Sequence, residues 1–183
     1  MAIFIDGSNL FLSSRDGNVN VAPEDLKRKL VRGRGLGALE YFGSSRDPPS
    51  ETEERWIGGF RDAGFHVHIF PLQSRNPFHI IAPRAVERME IKYRPDANPD
   101  DYLQFFEKGV DVALTTSMLA VALGGGTDVV VLVSGDGDFV PPVREVARRG
   151  IEVEVAAFRG SVKRELVEAA TRFVDLEAAL TSS

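Results

Sequence analysis

The run Val129–Val133 contains only valine and leucine, with no polar residue at alternate positions. Such a strand is typical of a parallel sheet that helices cover on both faces. Four more strands are predicted at residues 2–5, 38–42, 65–70 and 151–157. Helices are predicted from 23 to about 33, 50 to about 63, 111–122, 140–149 and 161–172. Because strands alternate with helices, the sequence predicts an α/β fold, a three-layer α/β/α sandwich around a central, mostly parallel sheet.

Aspartates follow two of the predicted strands. Asp6 comes directly after the first strand, and Asp136 and Asp138 lie in a Ser-Gly-Asp-Gly-Asp turn after Val129–Val133. Asp111 opens the helix that leads into that same strand. Because ligands of parallel sheets bind at the carboxyl ends of the strands, we expect these four side chains to lie close together.

Four neighbouring carboxylates repel one another unless a cation neutralises them. Mg²⁺ and Mn²⁺ prefer carboxylate and water oxygens. The chain has no cysteine and three histidines, His66, His68 and His79, so an oxygen-bound ion is preferred to zinc. Taken singly, Asp6 could form a turn, and Asp111 or Asp138 could cap a helix. Their joint placement favours a metal site.

His66 and His68 alternate along the predicted third strand and therefore face the same side of it. Their spacing is compatible with a metal site. A partly hydrogen-bonded histidine pair on a strand face is the preferred interpretation.

The composition is that of an ordinary globular protein of one domain, with 183 residues, 43% hydrophobic and 27% charged. A net charge of -5 argues against binding nucleic acid through bulk charge. The basic run between residues 27 and 34 is interpreted as a solvated helix face. No apolar run approaches the roughly 20 residues that span a bilayer, and the first residues lack a signal-peptide pattern. A cytoplasmic protein without membrane association is expected.

The stretch from about 71 to 101 is predicted to be an irregular insertion. It contains five prolines, which exclude a long helix or a central strand. Within it, residues 85–92 are compatible with a short helix or a hairpin arm. The insertion is a candidate for a substrate lid or for the arm of a homodimer.

Three segments resemble the signature segments of the NYN domain, a branch of the PIN-like ribonuclease superfamily, of the LabA-like type. They are Ile-Phe-Ile-Asp-Gly-Ser-Asn at 3–9, Lys-Gly-Val-Asp-Val-Ala-Leu at 108–114 and Leu-Val-Ser-Gly-Asp-Gly-Asp-Phe at 132–139. The resemblance runs from residue 2 to about 174. It implies a single NYN domain over 1–183 with a PIN-like, Rossmann-type fold.

The resemblance also implies a metal-dependent nuclease that acts on RNA, expected to be single-stranded. Asp6, Asp111, Asp136 and Asp138 would be its catalytic, metal-binding acids, with Mg²⁺ or Mn²⁺ as cofactor. Asn9 would assist the metal or the substrate, and Ser134 would shape the turn. Lys108 is a candidate phosphate contact. The bound ion would polarise the scissile phosphate and activate a water for in-line attack.

One position departs from the family pattern. Relatives commonly carry another aspartate six residues after Asp111, where this chain has Ser117. That departure and the negative charge leave open a catalytically impaired domain that binds RNA or a protein. A metal-dependent phosphatase is a third alternative, but Ser8 and Asn9 replace the Asp-x-Asp pattern that such enzymes carry after strand one.

Overall fold

The structure is a computed structural model that describes residues 1–75 and 104–181. The strands are Ala2–Asp6 (β1), Ala38–Ser45 (β2), His66–Pro71 (β3), Gln73–Arg75 (β4), Gln104–Phe106 (β5), Val129–Val133 (β6), Glu152–Ala157 (β7) and Arg172–Asp175 (β8). The helices are Gly7–Asp16 (α1), Pro23–Val31 (α2), Glu51–Asp62 (α3), Val110–Leu123 (α4), Val140–Arg148 (α5), Arg164–Ala169 (α6) and Leu176–Thr181 (α7). A 3₁₀ turn, Gly137–Phe139, precedes α5.

Six strands form one parallel sheet in the order β3-β2-β1-β6-β7-β8. The chain builds the sheet outward from β1 to β3, then returns to the other side of β1 with β6. The strand order therefore reverses between β1 and β6, where open parallel sheets bind their ligands. The predicted α/β/α sandwich is confirmed.

Two apolar cores lie on opposite faces of the sheet. Leu10, Leu26 and Phe60 bring α1, α2 and α3 onto the face of Ile3 and Ile5. The other face, which includes Phe4 and Phe42, is covered by α4, α5 and α6 through Leu114, Val143 and Leu166. Val130 to Val133 are buried, as the absence of polar residues in β6 predicts.

Two elements differ from the prediction. Helix α1 begins immediately after β1, where a turn was expected, because the carboxylate of Asp6 caps it. The helix predicted at 161–172 is wrong at both ends: α6 covers only Arg164–Ala169, and the chain then extends as β8. Strand β8 pairs with β7 and completes the sheet. Hydrogen bonding to the edge of the sheet therefore outweighs the helical spacing of the apolar residues in this segment.

The predicted insertion is entered and left through a short antiparallel ribbon, in which Gln73 pairs with Phe106 and Arg75 with Gln104. Pro71 ends β3 at the edge of the sheet, where proline is tolerated. The alternatives for residues 85–92, and His79, lie outside the described residues. Within residues 1–75 and 104–181, no helix has the length and apolar character to cross a bilayer.

The basic run at 27–34 is not simply a solvated helix face. Arg34 makes a bidentate pair with Glu154 of β7, with nitrogen–oxygen distances of 3.0 and 2.9 Å. The side chain of Glu154 is 0% exposed, and Arg32 and Arg172 also lie within 4.0 Å of it. This ion pair ties the end of α2 to the sheet.

Candidate metal centre

Asp6 lies at the end of β1 and is 5% exposed. Its Oδ1 accepts a hydrogen bond from the backbone N–H of Asn9 at 3.1 Å, which caps α1. The adjoining Gly7 is required by packing, because a Cβ there would overlap the ring of Tyr41. The carboxylate is therefore held in place where the chain turns from strand to helix.

The turn after β6 is hydrogen-bonded to the end of β1. The hydroxyl of Ser134 donates to Oδ2 of Asp6 at 2.8 Å and accepts from the N–H of Asp136 at 3.1 Å. Oδ1 of Asn9 accepts from the N–H of Gly135 at 2.9 Å. These contacts join the carboxyl ends of two neighbouring strands into one unit.

Asp136 caps the 3₁₀ turn, since its Oδ1 accepts from the N–H of Asp138 at 3.0 Å. Asp136 is half-buried, and Asp138 is exposed. The turn passes close to the loop before α6, because a Cβ at Gly135 would overlap the carbonyl of Ser161. Glycine at 135 thus allows the close approach that places this turn, with Asp136 and Asp138, at the carboxyl end of β6.

Asp111 is in the first turn of α4, and the residue at the N-cap is Gly109, with φ at +88°. Asp111 is therefore not the N-cap. Burial raises its pKa, and the neighbouring charges of Asp136, Glu107 and Asp138 raise it further. Helix α4 thus brings Asp111 to the same edge as the turn after β6.

Glu107 is a fifth acid at this edge, and the sequence interpretation missed it. The hydroxyls of Ser8 and Ser44 both donate to its Oε1. Its charge contributes to the raised pKa of both Asp6 and Asp111. Its only signal in the sequence is its place two residues before Gly109, shortly after the segment that is predicted to be an irregular insertion.

The set Asp6, Glu107, Asp111, Asp136 and Asp138 is called the acidic cluster below. Within this cluster the pKa of Asp6 is raised from 3.8 to about 6. Burial is the largest cause, hydrogen bonds from Asn9 and Ser134 oppose it, and the charges of Asp111 and Glu107 add to it. The cluster offers only oxygen donors, the set that Mg²⁺ and Mn²⁺ prefer.

Two other predicted positions lie on the approach to the cluster and on α4. Lys108 is exposed beside Glu107 in the chain. Ser117 is half-buried on α4, six residues and therefore roughly 9 Å along the helix axis from Asp111. The hydroxyl of Ser117 contributes no charge to the acidic cluster. Glu107, from the segment before α4, does contribute one.

An apolar cavity of about 330 Å³ adjoins the cluster. Phe11, Tyr41 and Trp56 line it, and Ser8 and Glu107 are shared with the edge of the acidic cluster. The indole N–H of Trp56 donates to the hydroxyl of Tyr41 at 3.1 Å, and burial raises the pKa of that phenol. Aromatic side chains therefore form much of the wall of this cavity.

The family model described as the NYN domain matches residues 1–177. The chain belongs to the NYN domain family. The predicted resemblance is thereby confirmed, and the family's PIN-like, nuclease-type fold agrees with the sheet order seen here.

This NYN domain is similar to one relative in sequence and to one solved structure in fold. It is 24% identical over 180 residues to the low amplitude and bright protein LabA of Synechococcus elongatus, covering 96% of this chain and 83% of the relative. A crystal structure of a protein of unknown function from Vibrio parahaemolyticus superposes with a TM-score of 0.65 at 20% identity. That match covers 98% of this chain and 93% of the other, and it supports the fold alone.

Proposed function

We propose that this NYN domain is a divalent-metal-dependent ribonuclease that hydrolyses phosphodiester bonds in single-stranded RNA. The observation that carries the proposal is the raised pKa of Asp6, about 6, in a cluster of five carboxylates at the switch point of the sheet. Burial is the largest cause of this raised pKa, the charges of Asp111 and Glu107 add to it, and a bound cation would relieve both costs.

The chemistry of the donor set, which is carboxylate oxygen alone, fits a hard divalent ion. Asp6 and Asp136 are proposed as the principal ligands, with Asp111 and Asp138 as further ligands, and Mg²⁺ or Mn²⁺ as the ion. When bound, such an ion neutralises charge on the scissile phosphate and lowers the pKa of a water molecule. The acidic cluster contains no histidine or cysteine, whose nitrogen and sulfur atoms would favour zinc.

The chain's own groups orient the carboxylates of Asp6 and Asp136. Ser134 and the N–H of Asn9 each hold one oxygen of Asp6, and the N–H of Asp138 holds Oδ1 of Asp136. Fixed carboxylates lose little freedom when they take up an ion or a phosphate. Lys108 is proposed to contact an RNA phosphate, because it is exposed beside the acidic cluster.

The cavity beside the cluster supports an RNA substrate rather than a small phosphate ester. Bases of a single strand stack on aromatic side chains without pairing, and each face of a base suits such a surface. Phe11 and Trp56 supply that surface next to Ser8 and Glu107. A base in the cavity would leave its phosphate near the acids.

A second candidate is an impaired NYN domain that binds RNA or a protein without cutting. Ser117 favours it, because a serine there removes one acid that the family commonly carries. Glu107 argues for activity, because it brings a negative charge close enough to act on Asp6 and Asp111.

Labelled single-stranded RNA incubated with Mn²⁺ or Mg²⁺ separates these candidates. The wild type is compared with Asp136→Asn and with the control Asp128→Asn, an exposed acid before β6 that is not in the cluster. We expect Asp136→Asn to lose activity by more than about 100-fold, since even indirect disturbance of metal ligands costs about 10–100-fold. The control should cut like the wild type.

The other outcomes assign the alternatives. Equal cleavage by Asp136→Asn and the wild type would contradict the proposal and indicate a contaminating nuclease. RNA binding without cleavage by any of the three proteins would support the impaired domain. Release of phosphate from small monoesters, with internal RNA bonds left intact, would support a phosphatase.

A further inference from the structure

Glu40, His66 and His68 form a group on the two strands at the outer edge of the sheet, and this set is called the histidine group below. Glu40 of β2 lies directly across from His66 of β3, and His68 follows two residues later on the same face. Nε2 of His68 is 2.7 Å from Oε2 of Glu40, and Nδ1 of His66 is 3.3 Å from that same oxygen. One ligand atom from each residue lies within 4.8 Å of the others.

We propose that the histidine group is a second metal site, specific for a borderline divalent ion such as Zn²⁺. Two imidazole nitrogens and one carboxylate oxygen are a zinc ligand set that leaves a fourth position for water. Imidazole favours zinc and cobalt over magnesium, which prefers oxygen.

The histidine group packs against the protein through Glu40 and His68 and is exposed to solvent at His66. The ring of His68 stacks on Phe42, with centroids 4.5 Å apart and planes at 9°, and the His66 and His68 rings are 4.3 Å apart. The side chain of Glu40 is 17% exposed, that of His68 is 32% and that of His66 is 72%. Two of the three ligands are therefore oriented before an ion binds, and the third lies on its path from solvent.

This site is distinct from the acidic cluster. Asp6, Phe42 and His68 lie in one row across β1, β2 and β3, so the buried ring of Phe42 stands between the two groups. Glu40 lies two residues nearer the start of β2 than Phe42, away from the carboxyl edge. The two sites also differ in chemistry, since one offers imidazole nitrogen and the other only oxygen.

An ion here would join an edge strand to its neighbour. Strand β3 pairs only with β2 within the six-stranded sheet and ends at Pro71, where the chain enters the β4–β5 ribbon. A ligand that binds only the folded state stabilises it in proportion to its occupancy. Zinc should therefore raise the thermal stability of the protein.

Titration with Co²⁺, whose visible absorption reports tetrahedral nitrogen ligation, tests the site directly. The experiment uses the Asp136→Asn variant, so that ions held by the acidic cluster contribute less. We expect a single equivalent of Co²⁺ to give the absorption band, Zn²⁺ to abolish it by competition, and millimolar Mg²⁺ to leave it unchanged. His66→Gln should weaken Co²⁺ binding by at least roughly tenfold, and its exposed side chain makes misfolding an unsuitable explanation for that loss.

Glu40→Gln is the second variant, because it keeps the shape of the side chain and removes its charge. A similar loss of Co²⁺ affinity, with an unchanged circular dichroism spectrum, would support the site. Absence of the band, or equal binding by His66→Gln and its parent, would overturn it and leave a hydrogen-bonded His68–Glu40 pair. These results do not depend on RNA cleavage, so they stand whether or not the nuclease proposal succeeds.

Discussion

The hydroxyl of Ser134 donates a hydrogen bond to Oδ2 of Asp6 across 2.8 Å and joins the ends of β1 and β6. Both groups are buried, and the same hydroxyl accepts from the N–H of Asp136. One small side chain thus sets the position of two acids that lie 130 residues apart in the sequence.

Replacing Ser134 with alanine should weaken the binding of Mn²⁺ by about tenfold, because Asp6 loses the donor that orients it. Isothermal titration calorimetry measures the change. Ser13→Ala, in helix α1 and away from the acids, is the control and should bind like the wild type. Unchanged affinity in Ser134→Ala would show that the contact does not position Asp6 for a metal.

The stability of the metal-free protein should fall as the pH rises from about 4 to about 6. Burial raises the pKa of Asp6 from 3.8 to about 6, so over this interval the unfolded chain has lost a proton that the folded protein keeps. The penalty is absent below pH 3.8 and complete above about pH 6, where it amounts to about 3 kcal/mol.

Urea unfolding in a chelator at the two ends of that interval checks this effect. Asp6→Asn should be more stable than the wild type at neutral pH and not at acid pH, because it carries no charge to bury. Asp128→Asn should track the wild type throughout. A stability difference between Asp6→Asn and the wild type that does not vary with pH would contradict the assigned pKa.

Replacing Glu107 with glutamine should lower Mn²⁺ affinity and RNA cleavage by roughly tenfold, because the acidic cluster loses a charge that acts on Asp6 and Asp111. Adding Ser117→Asp to this variant should restore part of the loss by returning an acid to α4. Kinetics of the single and double variants give the comparison. Full activity in Glu107→Gln would exclude Glu107 from the site.

Arg34→Ala should destabilise the fold by about 3 kcal/mol, since it leaves the buried carboxylate of Glu154 without its bidentate partner. The estimate is at the lower end of the usual range because Arg32 and Arg172 remain nearby. Arg28→Ala removes a surface pair with Asp25 and should cost less than about 1 kcal/mol. Denaturant unfolding measures both variants. Equal losses in the free energy of unfolding would show that Arg34 does not stabilise the buried carboxylate of Glu154.

The fold was predictable because its strands carry an unmistakable burial pattern. Val129–Val133 has no polar residue, and the glycines and prolines around it mark the ends of the neighbouring elements. Helix α1 was missed because Gly7 is a poor helix former, and its formation depends on capping by Asp6. Strand β8 was missed because its pairing with β7 is not visible in the spacing of residues 172–175.

The candidate site divides in the same way. Asp136 and Asp138 can be recognised from the sequence because they lie in a turn after a buried strand. Asp6 can be recognised because it ends the first strand. Glu107 has no such local mark, because the contacts that bring it to Ser8 and Ser44 join parts of the chain that are far apart in the sequence. Glu40 was missed as a partner of His66 for the same reason, since only strand register places it there.

Anomalous scattering locates Mn²⁺ in crystals of the protein and so tests whether the acidic cluster holds a metal ion. We expect a peak coordinated by oxygens of Asp6 and Asp136, with Asp111 or Asp138 alongside, and the loss of that peak in Asp136→Asn. Crystals soaked in Mn²⁺ with no anomalous peak among these acids, or with one that Asp136→Asn leaves unchanged, would contradict this expectation.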